Sequence, residues 1–241
     1  MNKFLNKILS RIDQIKNFLL DLLFPKQCVG CGIEGFWLCT DCHKKIVLIN
    51  YQTCPNCKRI TEHGQFCSRC RDKSYLTGLI VAAYYDEGPL KEAIHSFKYN
   101  GISDLAKDLS SIIKENLAKN FAKKAILISV PLHRKKLAKR GFNQSELIAI
   151  KIVDDKRTLL KNKLVRTKLT KKTQVELSGK ARRENVKDCF AWRGKKDELK
   201  GKTVILVDDV YTTGSTLQEC AKVLRSDAGV REIWGLVLAK A

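Results

Sequence analysis

The sequence predicts an α/β protein in which a parallel sheet flanked by helices follows a small cysteine-rich module. Apolar runs alternate with helical stretches from residue 79 onwards, and most of these runs are continuous in Val, Ile and Leu. Such runs suit strands that are buried on both faces of a parallel sheet. Eight of the ten cysteines fall between Cys28 and Cys70, which marks a separate module with a boundary near Ser74.

The pattern divides the chain into an N-terminal helix over 1–25, the cysteine module over 26–75 and an α/β domain over 76–241. The strands of that domain are predicted over 79–85, 125–130, 164–167, 203–207 and 233–239. Helices are predicted between them, over 88–99, 103–123, 143–154 and 215–226. Strands that alternate with helices in this way predict a central parallel sheet.

The N-terminal segment is predicted to be an amphipathic helix that ends at Pro25. Its apolar residues recur every three or four positions, and Lys3 and Lys7 lie on the polar face. Such an apolar stripe packs on the protein's own body, on a partner or on a membrane surface. The sequence does not distinguish among these three.

No segment is expected to cross a membrane. The longest unbroken apolar run, from Leu79 to Tyr85, has seven residues, whereas a spanning helix needs about 18 or more. Charged residues interrupt the first 24 positions and no small-residue cleavage site follows, which argues against a signal peptide. We therefore expect a cytoplasmic protein. The alternative is a peripheral protein that contacts the inner face of the cytoplasmic membrane through the 1–24 helix.

The cysteines of the module predict two structural zinc sites. They form four Cys-x2-Cys pairs, namely Cys28 and Cys31, Cys39 and Cys42, Cys54 and Cys57, and Cys67 and Cys70. Two residues between cysteines let a tight turn aim both sulfurs at one ion, and two such turns complete a tetrahedral site. Because four thiolates leave no open position, these ions are expected to hold structure and not to catalyse.

One zinc per consecutive quartet is the simplest pairing, and crossed pairing of the turns is the alternative. His43 and His63 lie inside the module and are expected at the surface. The module has few apolar residues, so metal binding is expected to supply its folding free energy. The two remaining cysteines, Cys189 and Cys220, are expected to be core residues and not nucleophiles.

The stretch 204–216 predicts a site for a sugar phosphate. A buried strand runs into Asp208 and Asp209, then into a loop of small hydroxyl residues and glycine, and then into a helix. Backbone N–H groups at a helix start favour a phosphate, and the residues there are Thr212, Thr213, Gly214, Ser215 and Thr216. The two carboxylates would repel a phosphate, so they are expected to bind another part of the ligand, such as a sugar diol. The stretch is neither a Walker loop nor a dinucleotide fingerprint.

This stretch resembles the phosphoribosyl pyrophosphate motif of type I phosphoribosyltransferases. Further segments are similar to the ComF/ComFC competence family, in which a double zinc ribbon is fused to such a transferase domain. These segments are Phe24–Cys28, Phe97–Gly101, Val130–His133, Arg140–Gln144, Thr173–Gln174 and Leu177–Val186. The likeness covers nearly the whole chain and keeps the order of the domains.

The resemblance implies a type I phosphoribosyltransferase-like fold behind a double zinc ribbon, acting in natural transformation. Asp208 and Asp209 would hold the ribose hydroxyls of phosphoribosyl pyrophosphate, residues 212–216 its 5-phosphate, and Mg²⁺ would accompany it. The loop after Pro131 would face the pyrophosphate, and residues 173–174 would lie in a mobile flap. The family is associated with import of single-stranded DNA, so the expected partners are that DNA, a helicase-like competence protein and other uptake proteins.

Basic residues follow the second predicted strand, where a pyrophosphate would lie. In a phosphoribosyl transfer the pyrophosphate leaves an oxocarbenium-like carbon, so cations must neutralise the leaving group. Arg134 and Lys135 are the predicted contacts. A solvated basic loop is the alternative.

The charge of the chain indicates an anionic partner. Its 46 Lys and Arg residues exceed its 25 Asp and Glu residues, which gives a net charge of +21 over 241 residues. The surplus is densest over 156–202, with 17 basic and 5 acidic residues. Such density suits a nucleic-acid backbone and predicts salt-dependent binding of single-stranded DNA. A solvated basic surface is the alternative.

Three functions remain open. The leading one is a ComF-like protein of DNA uptake that binds single-stranded DNA and phosphoribosyl pyrophosphate. The second is an active phosphoribosyltransferase whose nucleobase-like acceptor no residue identifies. The third is a zinc-ribbon adaptor whose transferase fold has lost its ligand, against which the intact Asp208, Asp209 and 212–216 loop argue.

Overall fold

The computed structural model describes residues 25–85, 88–121, 123–169, 184 and 186–241. The predicted helix over 1–24 and the segment 173–174 lie outside these residues. None of the described helices combines the length and the apolar character needed to span a bilayer.

Five parallel strands form the central sheet of the described chain. Side by side, they are β1 (Gly78–Tyr84), β7 (Glu232–Lys240), β6 (Thr203–Tyr211), β2 (Ala125–Ser129) and β3 (Arg157–Leu159). The predicted parallel sheet is thus confirmed, and four of the five predicted strands form its β1, β2, β6 and β7. Strand β6 extends beyond its predicted end and includes the two aspartates.

Helices cover both faces of the sheet. The described α-helices are α1 (Thr40–Lys44), which lies in the cysteine module, α2 (Pro89–Tyr99), α3 (Leu105–Asn120), α4 (Arg134–Arg140), which has no buried residue, α5 (Gln144–Lys151) and α6 (Ser215–Ser226). Ile205 of β6 belongs to the apolar cluster that includes Phe97 of α2, whereas the neighbouring Val204 belongs to the opposite cluster with Leu217 of α6. Both faces of β6 are therefore buried, which explains why its sequence is a continuous apolar run.

The prediction that residues 164–167 form a strand of the central sheet is wrong. They form β4 (Leu164–Arg166), which pairs antiparallel with β5 (Phe190–Trp192) outside the central sheet. Of β4, only Leu164 is fully buried, as expected for a strand with one buried face. The edge position in the central sheet belongs to β3, a three-residue strand that begins with the buried Arg157.

The basic stretch after Pro131 contains a helix, α4, where the sequence predicted a loop. The ring of His133 caps this helix, since its Nδ1 accepts a hydrogen bond from the backbone N–H of Lys135 at 3.3 Å. Gly141 ends it with a φ of +80°, a conformation that glycine adopts without strain. The helix carries no apolar periodicity, which is why the sequence pattern did not predict it.

The cysteine module packs on the outer edge of β1. The N–H of Ile49 donates to Ala82 O at 3.0 Å, and the N–H of Tyr84 donates to Val47 O at 3.1 Å. The module therefore covers the strand edge that would otherwise be open. Its first four-cysteine group contributes Cys28, Cys39 and Cys42 to the same apolar cluster as α2 and α3, so module and sheet share a core.

Candidate functional site

The first four cysteines converge on one point. The Sγ atoms of Cys28, Cys31, Cys39 and Cys42 all lie within 4.8 Å of one another, and those of Cys31 and Cys39 are 3.6 Å apart. A tetrahedral zinc ion with Zn–S bonds of about 2.3 Å separates its sulfurs by about 3.8 Å. The arrangement fits one structural zinc ion.

The turn after Cys28 shows how the sequence builds this site. The N–H of Gly32 donates to Cys28 O at 2.7 Å, and a Cβ on Gly30 would lie 2.8 Å from Cys42 Sγ, so only glycine allows this approach. The N–H of Cys39 donates to Cys28 Sγ at 3.3 Å. Burial opposes ionisation of Cys28, but the surrounding backbone N–H groups prevail and lower its pKa to about 6. These bonds favour the thiolate, the form that binds zinc.

The second four cysteines form an equivalent group. The Sγ atoms of Cys54, Cys57, Cys67 and Cys70 lie within 4.8 Å of one another, and those of Cys57 and Cys67 are 3.6 Å apart. The Nδ2 of Asn56 donates to Cys70 Sγ at 3.3 Å. The structure thus groups the cysteines as consecutive quartets and not in crossed order. Neither His43 nor His63 belongs to a quartet.

The two remaining cysteines are both buried, as predicted. Cys189 and Cys220 pack in the cluster between the sheet and α6. Burial raises the pKa of Cys220 well above its usual value, which keeps this thiol protonated and poorly nucleophilic.

The two adjacent aspartates lie at the carboxyl end of β6, on the same edge of the sheet as α5. Ser145, in the first turn of α5, donates its hydroxyl to Asp208 Oδ1 at 2.9 Å. The N–H of Asp209 donates to the same oxygen at 3.0 Å. Burial, followed by the charge of Asp209, raises the pKa of Asp208 to about 7, against the opposing effects of Lys98 and these hydrogen bonds. Asp208 therefore ionises less readily than an exposed aspartate.

Lys98, in the last turn of α2, forms an ion pair with Asp209. Its Nζ donates to Asp209 Oδ1 at 2.9 Å, and the two side chains are only 18% and 14% exposed. Burial disfavours the ammonium ion, but the charge of Asp209 prevails and raises the pKa of Lys98. The sequence did not predict this contact, although Lys98 lies within the segment Phe97–Gly101 that carries part of the family resemblance.

The loop after β6 leads into the N-terminus of α6, whose first turn contains no acidic residue. Gly214 precedes this helix with a φ of +72°, and a Cβ there would lie 2.5 Å from the Tyr211 hydroxyl. The hydroxyls of Thr213 and Ser215 are hydrogen-bonded at 2.8 Å. Because the first N–H groups of a helix lack intrahelical partners, this end favours an anion.

A cluster of cations lies near the acidic pair. Lys136 and Arg140 come from α4, and Arg166 comes from β4. Burial, together with the charges of Arg166, Arg140 and Lys98, lowers the pKa of Lys136. Within the described part of the chain, no carboxylate lies at ion-pair distance from Lys136, Arg140 or Arg166. This cation cluster (Lys98, Lys136, Arg140 and Arg166) is therefore suited to an anionic ligand.

The predicted pyrophosphate contacts, Arg134 and Lys135, lie in the first turn of α4, and both are exposed. The next residue, Lys136, is partly buried and faces the other cations. Contact of Arg134 and Lys135 with a ligand stays a prediction. The clustering indicates that Lys136 and Arg140, later in the same helix, are better placed.

Two polar side chains hold the start of the neighbouring helix α5. Asn143 accepts a hydrogen bond from the N–H of Ser145 at 3.1 Å, and its Nδ2 donates to Val130 O, at the end of β2, at 3.0 Å. Since Ser145 in turn contacts Asp208, Asn143 fixes the acidic pair indirectly. Asn143 and Ser145 lie in or next to the Arg140–Gln144 segment, so the resemblance, and not any local pattern, could have identified them.

The chain matches two family models in the order that the fold suggests. The double zinc ribbon domain matches residues 19–71, and the phosphoribosyl transferase domain matches residues 137–239. The first match contains both cysteine quartets, and the second contains the acidic pair and the α6 loop. Together with the parallel sheet, they define a protein that joins a double zinc ribbon to a phosphoribosyltransferase domain.

Curated relatives match most of the chain. Competence protein F of Haemophilus influenzae is 34% identical in an alignment 235 positions long, which covers 90% of this chain and 98% of that protein. DNA utilization protein YhgH of Escherichia coli is 28% identical, covering 89% of this chain and 98% of that protein. Competence protein ComFC of Bacillus subtilis is 28% identical, covering 78% and 77%. The chain therefore belongs to the competence protein F family.

Proposed function

We propose that this protein acts in DNA uptake or DNA utilisation, and that it binds phosphoribosyl pyrophosphate and single-stranded DNA. One observation supports the choice of ligand: the acidic pair Asp208 and Asp209 lies near the end of β6, which leads into the N-terminus of α6, and it contacts the cation cluster through Lys98. Such an order of charges suits a diol that has a phosphate on one side and a second anionic group on the other. Phosphoribosyl pyrophosphate has this sequence of groups.

In the proposed complex the carboxylates accept hydrogen bonds from the ribose hydroxyls, and residues 212–216 hold the 5-phosphate. Lys136 and Arg140 are the proposed pyrophosphate contacts, with Arg134 and Lys135 further out. Within the described chain, both hydrogen bonds to the Asp208 carboxylate go to Oδ1. The Oδ2 atom is therefore the oxygen of Asp208 proposed to meet the ligand.

Magnesium fits the donor set, since Mg²⁺ prefers carboxylate and phosphate oxygens. Asp208 would hold it through Oδ2, whereas Asp209 is already paired with Lys98. When bound, the ion would neutralise charge on the pyrophosphate. The two four-thiol groups, by contrast, fit structural zinc.

The names of the relatives, competence protein F and DNA utilization protein, support the DNA part of the proposal. Not every lysine of the basic stretch 156–202 is available to bind DNA, because Lys161 pairs with Glu146 at 3.4 Å and Lys163 pairs with Glu198 at 3.3 Å. Lys195 and Lys196 are exposed and, among the described residues, form no ion pair. They are our proposed DNA contacts. The helicase-like partner and membrane contact through residues 1–24 stay predictions.

Calorimetry tests the ligand. We expect phosphoribosyl pyrophosphate with Mg²⁺ to bind the wild type. The D208N/D209N variant should lose binding, because each amide keeps an acceptor oxygen but lacks the negative charge that strengthens the bonds to the ribose hydroxyls. K136M should weaken binding about tenfold or more, as expected for loss of a charged hydrogen bond. K139M, which removes an exposed lysine of the same helix, is the matched control. No binding by the wild type would refute this part of the proposal.

Fluorescence anisotropy with a labelled oligonucleotide tests the DNA part. Affinity is expected to fall steeply between 50 and 200 mM salt, because binding releases counterions from the DNA. K195A/K196A should bind more weakly and with a shallower salt dependence. K161A/K163A also removes two positive charges, but from existing ion pairs, so its effect should be smaller. Equal effects of the two variants would contradict this placement of the DNA.

A further inference from the structure

Lys98 interacts with groups of both charges. Its Nζ donates to Asp209 Oδ1 at 2.9 Å. Its charge also acts on Lys136, whose pKa is lowered by burial and by the charges of Arg166, Arg140 and Lys98 itself. The ammonium group thus contacts the acidic pair and lies within electrostatic reach of another cation of the cluster.

The position of Lys98 is fixed by the helix that carries it. The preceding Phe97 is buried in the core and packs against Phe142, with ring centroids 5.4 Å apart. Lys98 itself lies in the last turn of α2, where a cation interacts favourably with the helix dipole. The side chain therefore extends from a rigid element towards Asp209.

An ammonium ion has three N–H donors, and Asp209 takes one of them in this structure. Since the group is only 18% exposed, water has limited access to the other two. A ligand oxygen in the site would satisfy one of them, and an anionic oxygen would do so most favourably.

We propose that Lys98 determines the specificity of the site for a ligand that carries a pyrophosphate. One donor keeps Asp209 oriented towards the ribose hydroxyls, and a second donor binds a pyrophosphate oxygen. This inference rests on the proposed function and deepens it. Lys98, which lies outside both the α6 loop and α4, would thus distinguish phosphoribosyl pyrophosphate from ribose 5-phosphate.

Removal of Lys98 should act unequally on the two ligands. The pyrophosphate would lose the donor that Lys98 supplies, and Asp209 would no longer be held towards the ribose. The 5-phosphate contacts at α6 and the hydrogen bonds to Asp208 Oδ1 do not involve Lys98 and would remain. A ligand without the pyrophosphate would therefore lose less affinity than one that has it.

The test is calorimetry of phosphoribosyl pyrophosphate and ribose 5-phosphate, each with Mg²⁺, on the wild type, K98M and K98R. The two Kd values are compared as a ratio within each variant, because a change in the fraction of folded protein alters the apparent affinity for both ligands equally. K98M should reduce the preference for the pyrophosphate ligand about tenfold or more. K98R keeps the positive charge and should retain most of the preference for the pyrophosphate ligand. K114M, which removes an exposed lysine of α3, is the control.

The outcomes separate this inference from the proposed function. If the wild type binds phosphoribosyl pyrophosphate and K98M weakens both ligands equally, Lys98 is only structural and the inference is overturned. A wild type that binds both ligands equally well overturns it too. If the wild type binds neither, the proposed function fails and the inference falls with it. Should K98M not fold, K98Q replaces it in the same comparison with K98R.

Discussion

The side-chain amide of Gln52 forms two hydrogen bonds with the backbone of Val81. Its Nε2 donates to Val81 O at 3.0 Å, and the N–H of Val81 donates to its Oε1 at 3.0 Å. Gln52 is 4% exposed, and its Nε2 also lies 3.5 Å from Asn116 Oδ1 in α3. The amide takes the place of a neighbouring strand at the edge of β1, and so it joins the zinc ribbons to the sheet.

Replacement of Gln52 by leucine should destabilise the protein by about 2 kcal/mol or more, because two buried backbone groups of Val81 lose their partners. Urea unfolding of the zinc-loaded protein measures this loss. Gln65, in the same module, has an exposed side chain, and Q65L should change the free energy of unfolding by less than about 0.5 kcal/mol. Equal unfolding midpoints for the two variants would show that the Gln52 amide does not hold the edge of β1.

The features that the sequence predicted are those encoded locally. Each cysteine quartet is a pair of short turns, and the loop 212–216 follows directly from its strand, so neighbouring residues define both. The continuous apolar runs likewise predicted strands buried on both faces. The helix α4 and the strand β3 carry no such pattern: α4 is stabilised by the His133 cap, and β3 begins with Arg157, whose guanidinium pairs with Asp154.

The contacts that the sequence did not predict join residues far apart in the chain. Lys98 meets Asp209 only because α2 ends beside the carboxyl end of β6, and Gln52 meets Val81 only because the module packs on β1. No local periodicity encodes either pair. The charge surplus can be counted from the sequence, but which of its lysines are unpaired depends on the fold, since Lys161 and Lys163 are paired with Glu146 and Glu198.

The two zinc sites should contribute unequally to stability. Cys31 and Cys57 are both exposed members of their quartets, so C31S and C57S are a matched pair. Each should lower the zinc content from about two to about one ion per chain. C31S should lower Tm further, because three of the first four cysteines pack in the main core.

Zinc content is measured by elemental analysis of protein purified without chelator, and Tm by circular dichroism. C189S changes a buried cysteine outside both quartets and should retain both ions. Fewer than about two ions in the wild type, or equal Tm values for C31S and C57S, would contradict this assignment.

Alanine at Gly214 should reduce both stability and affinity for phosphoribosyl pyrophosphate. Gly214 has a φ of +72°, and an added Cβ would meet the ring and hydroxyl of Tyr211 at 2.5 to 2.7 Å. Gly201 has a φ of +74° with nothing within 4 Å of an added Cβ. G201A therefore reports the backbone strain alone, about 1–2 kcal/mol.

The difference between the two variants isolates the Tyr211 contact. G214A should be about 1–3 kcal/mol less stable than G201A, as for other overpacked sites, and only G214A should weaken ligand binding. Urea unfolding and calorimetry measure the two effects. Equal stability of G214A and G201A would mean that the loop moves away from Tyr211 without cost.

The raised pKa of Asp208 should make stability depend on pH between 6 and 8. Its pKa is about 7 in the folded protein against an ordinary value of 3.8, so the folded state binds this proton more tightly than the unfolded state. The resulting stability is complete below about pH 4 and is lost as the pH rises through 7. The wild type should therefore lose stability from pH 6 to pH 8. D208N, which cannot ionise, should lose less stability over this range and should be the more stable protein at pH 8.

Urea unfolding at pH 6 and at pH 8 measures the change in stability, and D155N, at an exposed position, should follow the wild type. Parallel slopes for the wild type and D208N would show that Asp208 is ionised throughout this range, and that burial and Asp209 do not raise its pKa.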